Sequence, residues 1–249
     1  MTNKVKSGNF KAAIHILCSE ARLAPVSEEM LATLKGKHPQ PSPQSRKLSD
    51  HTGNTHFTPL QVDHNDITKA LKIFPLGSTR GRDGLTPQLI IDLLSGNPDG
   101  NLLHTVVEFV NFLLQGRLPL EVNEIIFGGR LIALLKKDCG IRLISIGYTL
   151  RFLVVKCANK HVVERRSSDL QTTQVAVGVP TGSEAVIHAT RRNIEEKPTD
   201  YVTVKLDFNN AFDSVRRGLI LDASAANTPI IYQFTYVKYS CEPKLIYGL

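Results

Sequence analysis

Two apolar runs that lie close together, Arg130-Leu-Ile-Ala-Leu-Leu135 and Ile141-Arg-Leu-Ile-Ser-Ile146, decide the class of the fold. Each run has the length and apolar content of a buried strand, and only the charged stretch Lys136-Lys-Asp-Cys-Gly140 separates them. We therefore predict a hairpin with cations at its tip. Helical patterns come before and after it, so the order of elements predicts an α+β fold.

Apolar residues at helical spacing predict the surrounding helices. Residues 1–35 are predicted to form a helical extension that Ala24-Pro-Val-Ser27 divides in two. The proline-rich stretch that follows is typical of an extended linker, so residues 1–57 form a separate N-terminal region. Later helices are predicted around Ile67, Leu71 and Phe74, from Thr86-Pro87 to Leu94, from Leu103 to Leu114, from Tyr148 to Val163 and from Gly182 to Ile194.

The charge of the chain is concentrated in one stretch. The formal charge of the 249 residues is +7, and residues 128–170 alone contribute +6 because they include nine basic and three acidic residues. This pattern favours a polyanionic partner, although a solvated basic face has the same composition. No run of about 18 apolar residues occurs and no secretory signal is evident, so we expect an intracellular protein, in the cytoplasm or nucleus, without a membrane partner.

A predicted strand that ends in an acid is the first candidate site. Tyr201-Val-Thr-Val-Lys-Leu-Asp-Phe208 has the clearest alternation in the chain, and Asp207 lies at its carboxyl end, one residue before Phe208. A carboxylate at the end of a buried strand needs a cation or hydrogen-bond donors to offset its desolvation. Mg²⁺ is the cation that oxygen ligands and phosphate substrates share. A carboxylate that merely caps the turn at Asn209 and Asn210 fits the same residues.

The hairpin tip and a glycine-rich loop are the other candidates. Lys136 and Arg142 flank the predicted turn, where a point charge and a planar fork together can hold a triphosphate; a solvated turn is the alternative. The loop Gly77–Gly84 fits either phosphate binding through its backbone donors, with Arg80 or Arg82, or a flexible connector. P-loop, dinucleotide-binding and serine-hydrolase motifs are absent from the sequence.

Taken in order, these segments resemble a reverse transcriptase (RNA-directed DNA polymerase) of a non-LTR-type retrotransposable element. The most specific match, Val204-Lys-Leu-Asp-Phe-Asn-Asn-Ala-Phe-Asp-Ser-Val215, resembles the family's first catalytic motif, D-[FY]-x-x-A-F-[DN]-x-[IVL]. Gly128 to Lys137 and Gly140 to Gly147 resemble its two fingers strands. Arg80-Gly-Arg-Asp-Gly-Leu-Thr-Pro87 resembles its G-x-D-G-[IL]-x-P element, and Gln174 through His188 resembles the segment that leads to the palm.

The resemblance implies a partial right-hand polymerase, with a fingers-like region over 58–200 and the start of a palm over 201–249. It implies two-metal nucleotidyl transfer with an RNA template, a DNA primer and deoxynucleoside triphosphates, in which Asp207 and the carbonyl of Phe208 hold Mg²⁺. The nucleotide-binding residues that it implies are Lys136, Arg142, Asn210, Ala211 and Phe212. The residues that it implies for nucleic-acid phosphates are Arg130, Lys137, Arg151 and Lys156.

The sequence also departs from the family. The later palm motif of the family carries two adjacent aspartates, and no Asp-Asp pair occurs in this chain; Pro243 to Gly248 resembles the strand just ahead of that motif. A single aspartate cannot hold two metal ions about 3.5–4 Å apart. We therefore expect a truncated polymerase fragment that is inactive alone. The alternatives are a non-catalytic nucleic-acid-binding module that uses residues 128–170, and a fragment that does not fold because its palm strand lacks neighbours.

Overall fold

The fold combines helices with a small sheet, as predicted for the α+β class. The computed structural model describes residues 2–20, 22–25, 27–37, 57–81, 83–97, 99–135, 140–170, 174–175, 177–197, 201–208, 215–240 and 245–247. The chain divides into two compact units: unit 1 comprises Met1–Cys157 and Phe212–Leu249, and unit 2 comprises Ala158–Ala211. These units do not coincide with the three sequence regions, whose assignment as N-terminal region, fingers and palm stays a prediction.

Unit 1 begins with short helices and one short strand. Helix α1 (Thr2–Lys6), helix α2 (Phe10–Leu17), strand β1 (Arg22–Leu23) and helix α3 (Glu28–Lys37) follow one another. The backbone amide of Met30 donates to the hydroxyl of Ser27 at 3.1 Å, which confirms the start of a helix here. The prediction of only two helices was wrong: the first helical stretch is interrupted at Gly8, where φ is +71°, and residues 22–23 are paired in the sheet.

Between residue 57 and the hairpin, the described residues form four helices. They are α4 (His64–Lys72), α5 (Pro87–Ser95), α6 (Asn101–Leu114) and α7 (Leu120–Ile126). The first three confirm the predicted helices, whereas α7 was not predicted. The side chain of Thr86 accepts from the amide of Leu89 at 3.1 Å, so α5 starts at Pro87 as the sequence indicates.

The predicted hairpin is the centre of the sheet. Strands β2 (Gly129–Leu135) and β3 (Ile141–Ile146) pair antiparallel, with Arg130 opposite Ile146 and Leu134 opposite Arg142. On its other edge, β2 pairs antiparallel with β1 and parallel with β4 (Leu245–Tyr247). The strand expected at residues 243–248 is therefore present at Leu245–Tyr247, and it extends the hairpin sheet.

Buried apolar side chains from α6, β2 and the first half of α8 (Thr149–Leu170) supply much of the core of unit 1; examples are Val110, Leu113, Leu131, Leu153 and Val154. Unit 1 also contains α10 (Arg217–Asn227), a 3₁₀ turn (Pro229–Ile231) and α11 (Tyr232–Ser240). Helix α11 approaches the end of α6 at Gly116, where φ is +65° and an added Cβ would lie 2.8 Å from the carbonyl oxygen of Gln233. Glycine is therefore required there.

Unit 2 contains the second half of α8, helix α9 (Gly182–Glu196) and residues 201–208. The predicted strand over residues 201–208 was wrong: this segment has irregular backbone, and all eight residues are exposed. A strand needs a neighbour to pair its backbone groups, and among the described residues only β1 to β4 are paired in a sheet. No helix in the described ranges is both long enough and apolar enough to span a bilayer.

Candidate functional site

One face of the hairpin presents two arginines around an apolar centre. Cross-strand partners point to the same side of a sheet, and alternate residues of one strand share that side. The register therefore places six side chains on one face, here named the hairpin face: Arg130, Ile132, Leu134, Arg142, Ile144 and Ile146. Both arginines and Ile144 are exposed, and the other three are half-buried. The face is thus accessible to a partner.

The separation of the two arginines limits what they can bind. Arg142 lies opposite Leu134, which is four positions along β2 from Arg130. At about 3.3 Å per residue, the two backbone positions are about 13 Å apart. Two arginines carried on backbone positions this far apart suit two separate anionic groups, such as two phosphates of one nucleic-acid chain, better than a single phosphate.

The predicted triphosphate grip is described only in part. Arg142 is exposed on β3, next to the predicted tip. Lys136 and Lys137 lie outside the described residues, and so do Asn210, Ala211 and Phe212. The pairing of Lys136 with Arg142 on a triphosphate, and the sugar-facing roles of residues 210–212, therefore stay predictions.

Arg151 has a structural role at the base of the hairpin. Its guanidinium donates hydrogen bonds to the carbonyl oxygens of Phe127 and Gly128, at 2.6 and 3.0 Å. Burial lowers the pKa of this guanidinium from its ordinary value. An added Cβ on Gly147 would overlap the same guanidinium, so a glycine there leaves room for it. These contacts fix the start of β2, and they occupy the group predicted to bind phosphate.

Lys156 is also engaged within unit 1. Its ammonium lies 4.7 Å from the centre of the Phe74 ring, a cation–π distance, and the residue is half-buried. Its position on α8 places it outside the hairpin face. Of the four residues predicted to bind nucleic-acid phosphates, Arg130 alone is both described and on that face.

The described residues at the end of the glycine-rich loop, Gly81 and 83–85, are joined by internal hydrogen bonds. Inside it, the amide of Gly81 donates to Leu85 O at 3.3 Å, that of Gly84 to Gly81 O at 3.2 Å, and that of Leu85 to Asp83 Oδ1 at 3.2 Å. These three backbone donors are used within the turn, so they do not offer themselves to phosphate. Gly81 and Leu85 are docked on the chain that follows β3, so the loop is not a free connector at these two residues. Arg82 lies outside the described residues, and phosphate binding through Arg80 or Arg82 stays a prediction.

The docking of that turn depends on two contacts. The hydroxyl of Thr149 donates to Leu85 O at 2.7 Å, and Thr149 is almost fully buried. An added Cβ on Gly81 would lie 2.7 Å from Gly147 O and 3.0 Å from the Cα of Tyr148. The turn therefore packs directly on the backbone at the end of the hairpin, and only glycine allows that approach.

Asp207 lies in a different environment from the one predicted. It is exposed in the irregular segment 201–208, and the side chain of Phe208 is also exposed. Within the described ranges, no three side chains of the His, Cys, Asp or Glu type converge into a metal site. One exposed carboxylate does not provide the donor set that a pair of Mg²⁺ ions needs. The described residues therefore do not fit that cofactor.

The buried role of Arg151 was missed in the sequence, although a signal for it exists. Arg151 is three positions before Val154 and seven before Ala158 on α8, and both of these are buried. A residue at this spacing lies on the same helix face. Its place on the apolar stripe thus indicated a buried guanidinium rather than a solvent-facing one.

Comparison with known proteins adds no assignment. No protein-family model matches the chain, and no curated protein matches it in sequence.

Proposed function

We propose that this chain is derived from an RNA-directed DNA polymerase (reverse transcriptase) of a non-LTR-type retrotransposable element. In this proposal, residues 58–200 correspond to a fingers-like region and residues 201–249 to the start of a palm. The observation that carries the proposal is the contact between the G-x-D-G turn and the end of the hairpin, where Thr149 Oγ1 and Leu85 O are 2.7 Å apart. Beside this bond, an added Cβ on Gly81 would lie 2.7 Å from Gly147 O, so two segments that resemble the family independently, Arg80 to Pro87 and Gly140 to Gly147, come together there.

The contact also accounts for the spacing of the turn motif. Gly81 allows the close approach to Gly147, and the carboxylate of Asp83 accepts from the amide of Leu85. Gly84 takes a positive φ of +73°, and Pro87 begins α5. Each named position of the motif G-x-D-G-[IL]-x-P other than Leu85 thus has a structural reason in this chain. This supports a motif kept for its fold rather than a chance match.

In this proposal the chain does not polymerise by itself. Its sequence contains no Asp-Asp pair, and Asp207 is a single exposed carboxylate. The family's Mg²⁺ would polarise the primer hydroxyl and neutralise the leaving pyrophosphate when bound. The described residues do not supply such a site, so no catalytic step is assigned to Asp207 or Phe208.

The second candidate function is nucleic-acid binding without turnover, and the hairpin face favours it. Arg130 and Arg142 are exposed on the same face. Contacts of arginine with phosphate are strong and sequence-independent, and they weaken as salt rises. In this proposal the RNA template or the DNA primer lies across the hairpin face, while deoxynucleoside triphosphates are partners of the intact family only.

Primer extension tests the polymerase origin. We expect no extension of a DNA primer on an RNA template by the intact chain with Mg²⁺ and four deoxynucleotides. A chimera that appends the Asp-Asp strand and thumb of an active polymerase of this family is expected to extend the primer. Asp207→Asn should abolish that activity, and the matched control Asp99→Asn, at an exposed loop position, should not. Extension that is indifferent to Asp207→Asn would contradict the assignment of the palm.

Binding measured against salt tests the hairpin face. The variant Arg130→Ala/Arg142→Ala is expected to weaken binding of a labelled RNA·DNA hybrid. It should also reduce the slope of log K against log salt by about 1.5, since each lost phosphate contact removes about 0.7–0.9. Arg117→Ala/Lys69→Ala is the matched control, because it also removes two positive charges and both residues are exposed in unit 1 outside the sheet. An equal loss in both variants would show that net charge alone drives binding.

A further inference from the structure

A cavity lies in unit 1, away from the hairpin face. Its volume is about 410 Å³, and its walls come from α1, α4, the turn at residues 75–78 and the first turns of α5. Binding sites for small organic molecules have volumes of about 300–1,000 Å³. This cavity, here named the N-terminal pocket, is therefore large enough for one small ligand.

The wall formed by the N-terminal helices is attached to the rest of the pocket. The ammonium of Lys4 and the side-chain amide of Asn9 both donate to the carbonyl oxygen of Leu76, at 3.1 and 3.0 Å. Leu76 itself lines the pocket. Two donors on one acceptor hold α1 and α2 against the turn, so the cavity is part of the fold of unit 1.

The charge of the pocket has one sign. Lys6, at the end of α1, and Lys72, at the end of α4, both line it, and no aspartate or glutamate is among its lining residues. Neither lysine forms an ion pair within the described part of the chain. A third positive charge, the ammonium of Lys156, lies 4.7 Å from the ring centre of Phe74, which also lines the pocket. The pocket therefore attracts an anionic group.

Much of the remaining lining is apolar, and it includes the ring of Phe74. The apolar side chains come from Leu71, Phe74, Pro75, Pro87 and Ile91, and the polar residues Ser7, Ser78, Thr86 and Gln88 also line the pocket. An inorganic anion alone would leave this apolar lining uncovered. A ligand with a flat organic part next to its anionic part uses both features.

We propose that the N-terminal pocket binds a nucleotide, with the phosphate between Lys6 and Lys72 and the base against Phe74 and Ile91. The same chemistry is available from a free nucleoside monophosphate and from one unit of a single-stranded nucleic acid. The inference rests on the cavity and its lining, and it does not depend on the polymerase proposal. Its variants leave Arg130, Arg142 and Asp207 unchanged, so the two proposals fail separately.

The test uses the intact chain and three probes. Adenosine monophosphate and inorganic phosphate are titrated by calorimetry, and a labelled single-stranded oligouridylate is titrated by fluorescence anisotropy. Lys6→Glu/Lys72→Glu reverses the charge of the two lysines. Leu76→Trp adds bulk to the lining of the pocket at a position that is already 55% exposed. Lys69→Glu is the matched control, because Lys69 is exposed on the same helix as Lys72 but does not line the pocket. Circular dichroism melts report whether each variant is folded.

We expect affinity for adenosine monophosphate to fall about tenfold or more in Lys6→Glu/Lys72→Glu, since each lysine supplies a charge-assisted hydrogen bond. It should fall also in Leu76→Trp and should not change in Lys69→Glu. The same pattern with the oligouridylate alone would assign the site to a nucleic-acid strand. The proposal would be overturned if adenosine monophosphate still binds the double-lysine variant, or if inorganic phosphate binds as tightly as the nucleotide. It would also be overturned if neither nucleotide probe binds, or if neither loses affinity in the double-lysine variant relative to Lys69→Glu. If Leu76→Trp does not fold, the lysine variants decide the result.

Discussion

The sequence predicts strands both in the hairpin, from two apolar runs, and in segment 201–208, from alternation. Only the hairpin forms a pair of strands in the structure. The hairpin runs 130–135 and 141–146 are neighbours in the chain, so closing the loop between them has a small entropic cost. Segment 201–208 has no such neighbour in sequence, and in unit 2 it remains irregular and exposed. Alternation of apolar residues thus specifies which side chains share a face, whereas strand formation also needs a partner.

The hairpin and segment 201–208 also hold the two halves of the predicted site. The hairpin half, with Arg130 and Arg142, is on a folded sheet. The half with Asp207 is on exposed irregular backbone, where a carboxylate has no buried strand to fix its position. Preorganised geometry is what catalysis requires, and it is also what the hairpin face supplies for binding. The difference is the reason why the proposed function assigns the hairpin face to binding and no catalytic step to Asp207.

Replacing one leucine by alanine in each region gives the largest expected difference in the free energy of unfolding. Leu131 is 1% exposed on β2, and Leu206 is 76% exposed. Leu131→Ala is expected to lower the free energy of unfolding by about 2–5 kcal/mol because it leaves a cavity. Leu206→Ala should change it by less than about 0.5 kcal/mol. Urea unfolding followed by circular dichroism measures both, and equal losses would mean that residues 201–208 are packed.

Most of the helices and the hairpin could be predicted from the sequence because their signals are local. The cap at Thr86-Pro87 and the apolar stripe of α6 each lie within one element. The paired strand at Arg22–Leu23 could not be predicted, since its residues show no strand pattern and its partner Leu134–Leu135 is far away in the chain. The exposure of Asp207 was missed because residues 201–208 alternate strongly in sequence. Among the described residues, however, no strand pairs with this segment.

Arg151 has a structural role, whereas Arg142 is the arginine that we propose to bind phosphate, and the two can be compared by substitution. Arg151→Ala is expected to lower the free energy of unfolding by about 1.5–3 kcal/mol, because it removes charged hydrogen bonds to the carbonyls of Phe127 and Gly128. Arg142→Ala should be neutral in stability within about 0.5 kcal/mol, since Arg142 is exposed. Only Arg142→Ala should reduce the salt dependence of nucleic-acid binding. The reverse pattern would show that Arg151 faces the phosphates.

Two glycine substitutions test the docked turn at a smaller scale. Gly81→Ala is expected to cost about 1–3 kcal/mol, because its Cβ would meet backbone atoms of Gly147 and Tyr148 that cannot move independently. Gly218→Ala, in helix α10 with open space around the added Cβ, should be neutral or stabilise by up to about 1 kcal/mol. Thermal melts of the two variants give the comparison. A neutral effect of Gly81→Ala would contradict the close approach of Gly81 to Gly147, which supports the polymerase proposal.

Amide hydrogen exchange of the intact chain tests most directly the claim that the hairpin is folded and that the segment with Asp207 is not a strand. Protection is expected at the amides of 130–135 and 141–146 that pair β2 with β3, whereas the alternate amides of β3 face away from β2 and should exchange faster. Amides of residues 202–208 are expected to exchange near the rate of an unstructured peptide. Protection of residues 202–208 equal to that of the hairpin would contradict the account, because it would place Asp207 on a formed strand.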